Sequence, residues 1–167
     1  ADIWIQAASA GEALLAVRLV QGFSSQNPVR ILVTTTTDQG MGILRDAFKK
    51  KPFSSQISLS LGWFPFDCPK VAETAVKRVN PKVMVLLETE LWPALLHQLR
   101  RQHTRILVVN GRMSVKSSRH YRITRPLWAR IAPHQILAVS ETDADRFRRV
   151  FDQTKVSVMP NMKFETL

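Results

Sequence analysis

One cysteine, Cys68, is all the thiol that these 167 residues carry. A lone cysteine closes no internal disulfide and excludes a multi-cysteine metal site, so a reducing, cytoplasmic setting is the default expectation. Long apolar runs are missing as well: none approaches the roughly 18 residues of a membrane span, and no signal-peptide pattern opens the chain. The four histidines, His97, His103, His120 and His134, fall at no i,i+4 or H-E-x-x-H spacing and read as surface residues, so no metal is expected. Neither G-x-G-x-x-G nor G-x-x-x-x-G-K-[ST] occurs, which leaves a dinucleotide or P-loop site without support. Repeats, low-complexity tracts and linkers are absent too. With 45% hydrophobic and 22% charged residues, the chain reads as one globular domain over 1–167.

The most informative absence is of negative charge. From residue 91 to residue 140 there is no Asp or Glu, against Arg100, Arg101, Arg105, Arg112, Lys116, Arg119, Arg122, Arg125 and Arg130. These nine account for most of the net +11, and solvated faces usually mix signs, so an anionic partner is expected for one part of the molecule. Nucleic acid is the competing partner on charge alone. No helix-turn-helix, zinc-finger or RNP-like pattern accompanies the charge, and among the basic residues only Tyr121 and Trp128 interleave, so no nucleic acid is expected.

What is present is an alternation of short β-branched runs with segments of helical period, the pattern of a parallel sheet with helices on both faces. Strands are predicted at 3–7, 30–35, 57–61, 83–87, 105–109, 135–139 and 155–158, and helices at 11–23, 38–50, 69–79, 93–102 and 141–151; if 114–130 is helical as well, several of its cations share one side. The runs V-M-V-L-L and I-L-V-V are continuously apolar, as strands buried on both faces are. The fold class is therefore α/β, doubly wound and Rossmann-like. In such sheets ligands bind beyond the carboxyl ends of the strands. Polar residues and glycines crowd into those loops: S-A-G-E at 9–12, T-T-T-T at 34–37, P-F-D at 65–67, E-T-E-L-W-P at 88–93 and N-G-R-M-S at 110–114.

Taken with N-M-K-F at 161–164, these loops resemble the amino-terminal half of the Kdo transferases, which attach 3-deoxy-D-manno-octulosonic acid (Kdo) to lipid A precursor. The resemblance runs over nearly the whole chain, with six motifs in order. It implies the acceptor-binding half of a two-domain glycosyltransferase of the GT-B type, working with inversion on the donor CMP-Kdo, without a cofactor, at the cytoplasmic face of the bacterial inner membrane. The donor would be bound mainly by a second domain. Where the family usually has histidine this chain has Gln6, and Glu165 stands where an aspartate often follows N-x-K-F. The family's membrane-anchoring segment and donor domain are not found in the 167 residues, so the chain by itself is expected to catalyse no transfer.

Two readings compete for Glu12. Ser9 and Glu12 spell S-x-x-E, a capping box in which hydroxyl and carboxylate satisfy amides at the helix start. The resemblance places the catalytic base at this glutamate, and that reading is preferred. A helix amino terminus keeps Glu12 ionised and ready to accept a proton, at a cost in basicity. Gly11 is expected to let the backbone turn tightly and to leave no side chain between Glu12 and the acceptor sugar. Glu88 and Glu90 read either as an acidic helix start or as acceptor contacts; the resemblance puts at least one of them in the acceptor site without choosing. Trp92 is read as core packing before sugar platform. Arg112 could clamp a phosphate bidentately, with Lys116, Arg119, Arg122 and Arg125 following at three-to-four spacing. Lys163 is the other cation that the resemblance singles out, and Ser9 and Thr35 are further acceptor contacts. F-K-K-K-P-F at 48–53 reads as solvated lysines with packed aromatics, or as a rest on anionic headgroups.

Overall fold

The computed structural model describes residues 1–50 and 56–162. The seven predicted strands all form, as β1 (Ile3–Ala7), β2 (Val29–Thr35), β3 (Ile57–Trp63), β4 (Val83–Leu87), β5 (Arg105–Gly111), β6 (Gln135–Ala138) and β7 (Lys155–Val158). They lie in one parallel sheet of order β3-β2-β1-β4-β5-β6-β7. The connecting helices are α1 (Ala10–Gln21), α2 (Asp38–Lys50), α3 (Pro69–Val79), α4 (Pro93–Arg101), α5 (Val115–Ile123), α6 (Arg125–Ile131) and α7 (Glu141–Arg148).

The strand order has one reversal. The chain steps outward from β1 to β3, then returns through α3 to place β4 on the other side of β1, with Ile3 against Val83 and Gln6 against Leu86. At such a switch point the loops after the two central strands diverge and leave a crevice. Here those loops are S-A-G-E after β1 and E-T-E-L-W-P after β4.

Pleating sends alternate strand residues to opposite faces, and each face has its own helical cover. On one side Leu15, Ala16 and Val20 of α1 and Leu44 of α2 pack on Ile5, Ile31, Val33 and Val85. On the other, Val76 of α3, Leu95, Leu96 and Leu99 of α4, Trp128 and Ile131 of α6 and Phe147 of α7 cover Trp4, Met84, Leu86, Ile106, Val108 and Ile136. Helix ends follow the local chemistry. Pro69 and Pro93 open α3 and α4, where a missing N–H costs nothing, and Asn80 closes α3 in the left-handed region at φ 45°.

The stretch 114–130 is helical, but as two helices, α5 and α6. Thr124 leaves helical geometry at φ −101°, ψ 22°, and Pro126 at the start of α6 supplies the cause, since proline lacks the N–H that would continue the ladder. α7 ends at Arg148, three residues before the predicted boundary, and β5 runs on to Gly111 through a register shift against β6. The basic run is also divided. Arg100 and Arg101 end α4 and Arg105 begins β5, all at the amino-terminal edge of the sheet, while Arg112 and Lys116 lie at the carboxyl edge. In F-K-K-K-P-F, Phe48 packs against the α1–α2 core and Lys49 is exposed; residues 51–53 lie outside the described residues. No helix among the described residues is long and apolar enough to cross a membrane.

Candidate functional site

The loop after β1 forms one wall of the crevice. Ser9 is extended and caps α1, its Oγ accepting from Glu12 N–H at 3.3 Å. In return, the Ser9 hydroxyl donates to Glu12 Oε1 at 2.8 Å and Ala8 N–H donates to Oε2 at 2.8 Å. The capping box is thus formed, with its return bond shifted one residue outward, and Glu12 is only 5% exposed. Gly11 corrects one expectation: it is an ordinary helical residue without positive φ, so the turn does not depend on its backbone freedom. What it contributes is the lack of a side chain.

T-T-T-T joins β2 to the same wall. Trp4 Nε1–H donates to Thr34 Oγ1 at 2.8 Å, and the Thr34 hydroxyl donates to Gln6 Oε1 at 2.5 Å. Thr36 donates to the Ala8 carbonyl at 2.6 Å, tying the two loops together. Thr37 Oγ1 accepts from Gly40 N–H at 3.1 Å and so caps α2. Gly40 must be glycine, because a Cβ there would stand 2.4 Å from Thr35 Oγ1 and 2.9 Å from Thr37 Oγ1. Gly40→Ala should therefore destabilise by about 1–3 kcal/mol despite alanine's better helix propensity. Gly42→Ala, two residues on with nothing within 4 Å, should gain up to about 1 kcal/mol. Thermal unfolding of the pair checks this; equal effects would show that the contact with Thr35 does not matter.

The opposite wall follows β4. Glu88 sits in the left-handed region at φ 56°, a conformation costing a non-glycine residue about 1–3 kcal/mol, with its N–H donating to the Val109 carbonyl at 3.0 Å. The bend carries Thr89 and Glu90 across the top of the sheet. Asp67, the acid of P-F-D, accepts from Leu95 N–H at 2.9 Å and Ala94 N–H at 3.3 Å and is thereby the cap of α4. Glu90 has its carboxyl pushed up to about 7 by burial and then by the neighbouring charge of Glu12, with Glu88 adding to the rise. The Trp92 indole opposes this rise by more than Glu88 adds to it, although its N–H makes no hydrogen bond of ordinary geometry among the described residues. Trp92 is half-buried, its ring 5.2 Å from that of Phe64, and it packs against the core as well as lining a cleft.

After β5, Asn110 takes the left-handed conformation (φ 58°) and is fully buried, its Oδ1 accepting from Met162 N–H at 3.1 Å. Arg112 Nε lies 4.0 Å from Glu88 Oε1, with the side chain 39% exposed. Met162 also accepts through its carbonyl from the Arg18 guanidinium, so the start of N-M-K-F is fastened between α1 and the end of β5. Lys163 lies outside the described residues.

Glu12, Glu88, Glu90 and Arg112 are thus brought to the two walls of the switch-point crevice, with Ser9 exposed on its rim. Thr35 stands on the flank, where it lines a cleft of about 650 Å³ with Trp63, Phe64, Phe66 and Trp92. Two participants escaped the sequence reading, Gln6 and Asn110. Among the described residues, Gln6 Nε2, Thr35 Oγ1, Trp92 Nε1, Asn110 Nδ2 and Arg112 Nε are buried without a hydrogen bond of ordinary geometry, Arg112 Nε facing Glu88 only at ion-pair distance, and all belong to this edge of the sheet. Buried polar atoms are seldom left so, and a group of them at a crevice fits a ligand with many hydroxyls. The signals available were position, since both residues stand next to last in their strands, and the motifs, since Asn110 opens N-G-R-M-S and Gln6 replaces a histidine usual in the family. No cluster of three or more metal-ligating side chains occurs among the described residues.

A doubly wound parallel sheet with an acidic, under-bonded crevice at its switch point defines an α/β ligand-binding unit. The particular family follows from comparison: residues 1–166 match the model of the 3-deoxy-D-manno-octulosonic-acid transferases (kdotransferases), and the chain belongs to that glycosyltransferase family. It is similar to a bifunctional glycosyltransferase/methyltransferase of Fusobacterium nucleatum, at 32% identity over 165 residues that cover 97% of this chain and 25% of that protein. The 3-deoxy-D-manno-octulosonic acid transferase of Haemophilus influenzae is 28% identical over 169 residues, 98% of this chain and 38% of its own length. That of Bordetella pertussis is 32% identical over 123 residues, 71% of this chain and 27% of its own length. The chain therefore spans about a quarter to two-fifths of these relatives.

Proposed function

We propose that this chain is the acceptor-binding domain of an inverting Kdo transferase that moves Kdo from CMP-Kdo to lipid A precursor at the cytoplasmic face of the inner membrane. The observation that carries the reading is the crevice between β1 and β4, where three carboxylates and a group of under-bonded polar atoms converge in a member of this family. In the reaction an acceptor hydroxyl attacks the anomeric carbon of Kdo, the new C–O bond forms as the bond to the CMP phosphate breaks, and CMP leaves with that electron pair. Glu12 takes the hydroxyl proton. The two donors on its carboxylate fix its direction, and Gly11 leaves the approach open.

The remaining residues bind the acceptor. Ser9, Thr35, Glu88 and Glu90 meet its hydroxyls, while Arg112 and Lys163 meet its phosphates through charge-assisted hydrogen bonds. CMP-Kdo is assigned mainly to a second domain within the length of the relatives that this chain does not span, so the 167 residues alone transfer nothing. Glu90, its carboxyl pushed up to about 7, can hold a proton near neutral pH and donate it to the acceptor.

That same raised pKa favours a second reading, in which Glu90 is the base, since a base works best near the operating pH. Kdo transfer by the full-length enzyme from CMP-Kdo to lipid A precursor, followed from pH 5.5 to 8.5 (roughly the span that brackets a group titrating near neutrality), separates the two. With Glu12 as base, Glu90→Gln keeps most turnover at the acid end and flattens the change around pH 7. A loss of about 10²–10⁴-fold at every pH makes Glu90 the base, and wild-type protein that transfers nothing ends the proposal.

A further inference from the structure

Away from the crevice, α5 and α7 run past one another and leave a groove of about 420 Å³ lined by Arg119, Arg122, Arg146 and Arg149 together with Ser118 and Asp145. A second hollow, of about 560 Å³, adjoins it and is lined by Arg122, Arg125, Arg148 and Arg149 alone. Six guanidinium groups therefore face one surface.

Their carboxylate partners are too few. Arg125 pairs with Asp152 at 2.9 Å, Arg148 with Asp145 at 2.8 Å and Glu141 at 3.3 Å, and Arg146 with Asp143 at 3.6 Å. Arg119, Arg122 and Arg149 have no carboxylate within 4.0 Å among the described residues, and Arg122 and Arg149 are shared by both hollows. In the paired arginines each ion pair uses a single terminal nitrogen, Nη1 of Arg146 and Arg148 and Nη2 of Arg125, so much of each fork stays open. Two helices thus hold planar donors on either side of a groove with a positive excess. Such forks match the oxygens of a phosphate bidentately, and a dianion suits the surplus better than a single charge.

We infer that the groove between α5 and α7 is a binding site for a phosphate monoester. The inference goes beyond the transfer reading and holds whichever carboxylate in the crevice takes the proton. The ligand can be a free phosphate compound or the monoester headgroup of a lipid, and the two sources are separated below. Arg122 and Arg149 are the two residues the site cannot lose.

Inorganic phosphate titrated into the full chain, with the arginine Nε–H signals followed by NMR, should shift Arg122 and Arg149 before Arg100, Arg101 and Arg105. The double variant Arg122→Gln/Arg149→Gln should bind phosphate at least about tenfold more weakly, with Arg105→Gln as a surface control that binds normally; unchanged thermal unfolding shows that both variants fold. Phosphatidylcholine vesicles carrying phosphatidic acid, compared with the same fraction of phosphatidylglycerol, supply the second arm. Preference for phosphatidic acid, lost in the double variant, names a lipid headgroup; phosphate binding without that preference names a soluble phosphate. Equal shifts at Arg105, wild-type affinity in the double variant, or duplex DNA that occupies the groove and resists displacement by phosphate overturns the site.

Discussion

Glu12→Gln in the full-length enzyme is expected to lower kcat by about 10²–10⁴-fold, the usual contribution of a positioned general base. The geometry says what else changes. One oxygen of the carboxylate accepts from Ala8 N–H and the other from the Ser9 hydroxyl, so the amide can keep the first bond and must reverse the second. A serine hydroxyl can accept from the new NH₂ group as readily as it donated to the oxygen, which limits the loss of stability to about 1 kcal/mol. Thermal unfolding and turnover measured on the same preparation separate the two roles. Near-normal kcat with a lowered Tm would make Glu12 a capping residue and nothing more.

The second large effect is structural. Phe147 of α7 is fully buried and lies under the backbone of β5, so close that a Cβ at Gly111 would come within 3.1 Å of its ring. It stands in the same core as Trp128, Val150 and Phe151. Phe147→Ala removes the ring and leaves a void that this mutual packing cannot close, so the expected loss is about 3–5 kcal/mol. For a chain of this size that corresponds to a fall in Tm of about 6–20 °C. It is a large part of the 5–15 kcal/mol by which domains are usually stable (on the order of a third of it). A loss below about 1 kcal/mol would mean that α7 repacks, and Gly111 would then tolerate alanine without cost.

The parts of this fold that were legible in the sequence are those whose signal is local. β1, β4 and β7 appear at the predicted limits because their apolar and β-branched residues, continuous in β4 and alternating in β7, leave little choice of element, and once the strands are parallel the loops that carry the motifs must gather at one edge. Signals that depend on distant partners were not legible. Asp67 caps a helix that begins 26 residues later, and P-F-D looks the same in sequence whether its acid meets solvent, sugar or backbone. The left-handed turn at Glu88 has no glycine or asparagine to mark it. The acid-free run suggested one positive face, yet the sheet sends its members to opposite edges, and the densest cluster of arginines recruits Arg146, Arg148 and Arg149 from beyond the run. The S-x-x-E box was read correctly as a pattern. That its carboxylate also lies beside that of Glu90 was not legible, since the two are brought together only by the pairing of β1 with β4.

Met162 shows how this chain answers to a pull. Its N–H is held by Asn110 near the end of β5 and its carbonyl by Arg18 on α1, whereas β7, the strand just before it, is a four-residue strand paired, among the described residues, only with β6. Tension applied beyond Met162 therefore bypasses the weak edge and enters the molecule at its centre. There it loads β5 along its length, in shear against β4, and cannot peel strands away one bond at a time. The anchors it meets are the Arg18 guanidinium on the Met162 carbonyl and then the Asn110 side chain on the Met162 N–H, two residues before Arg112, so the rim of the crevice doubles as the strain gauge of the domain.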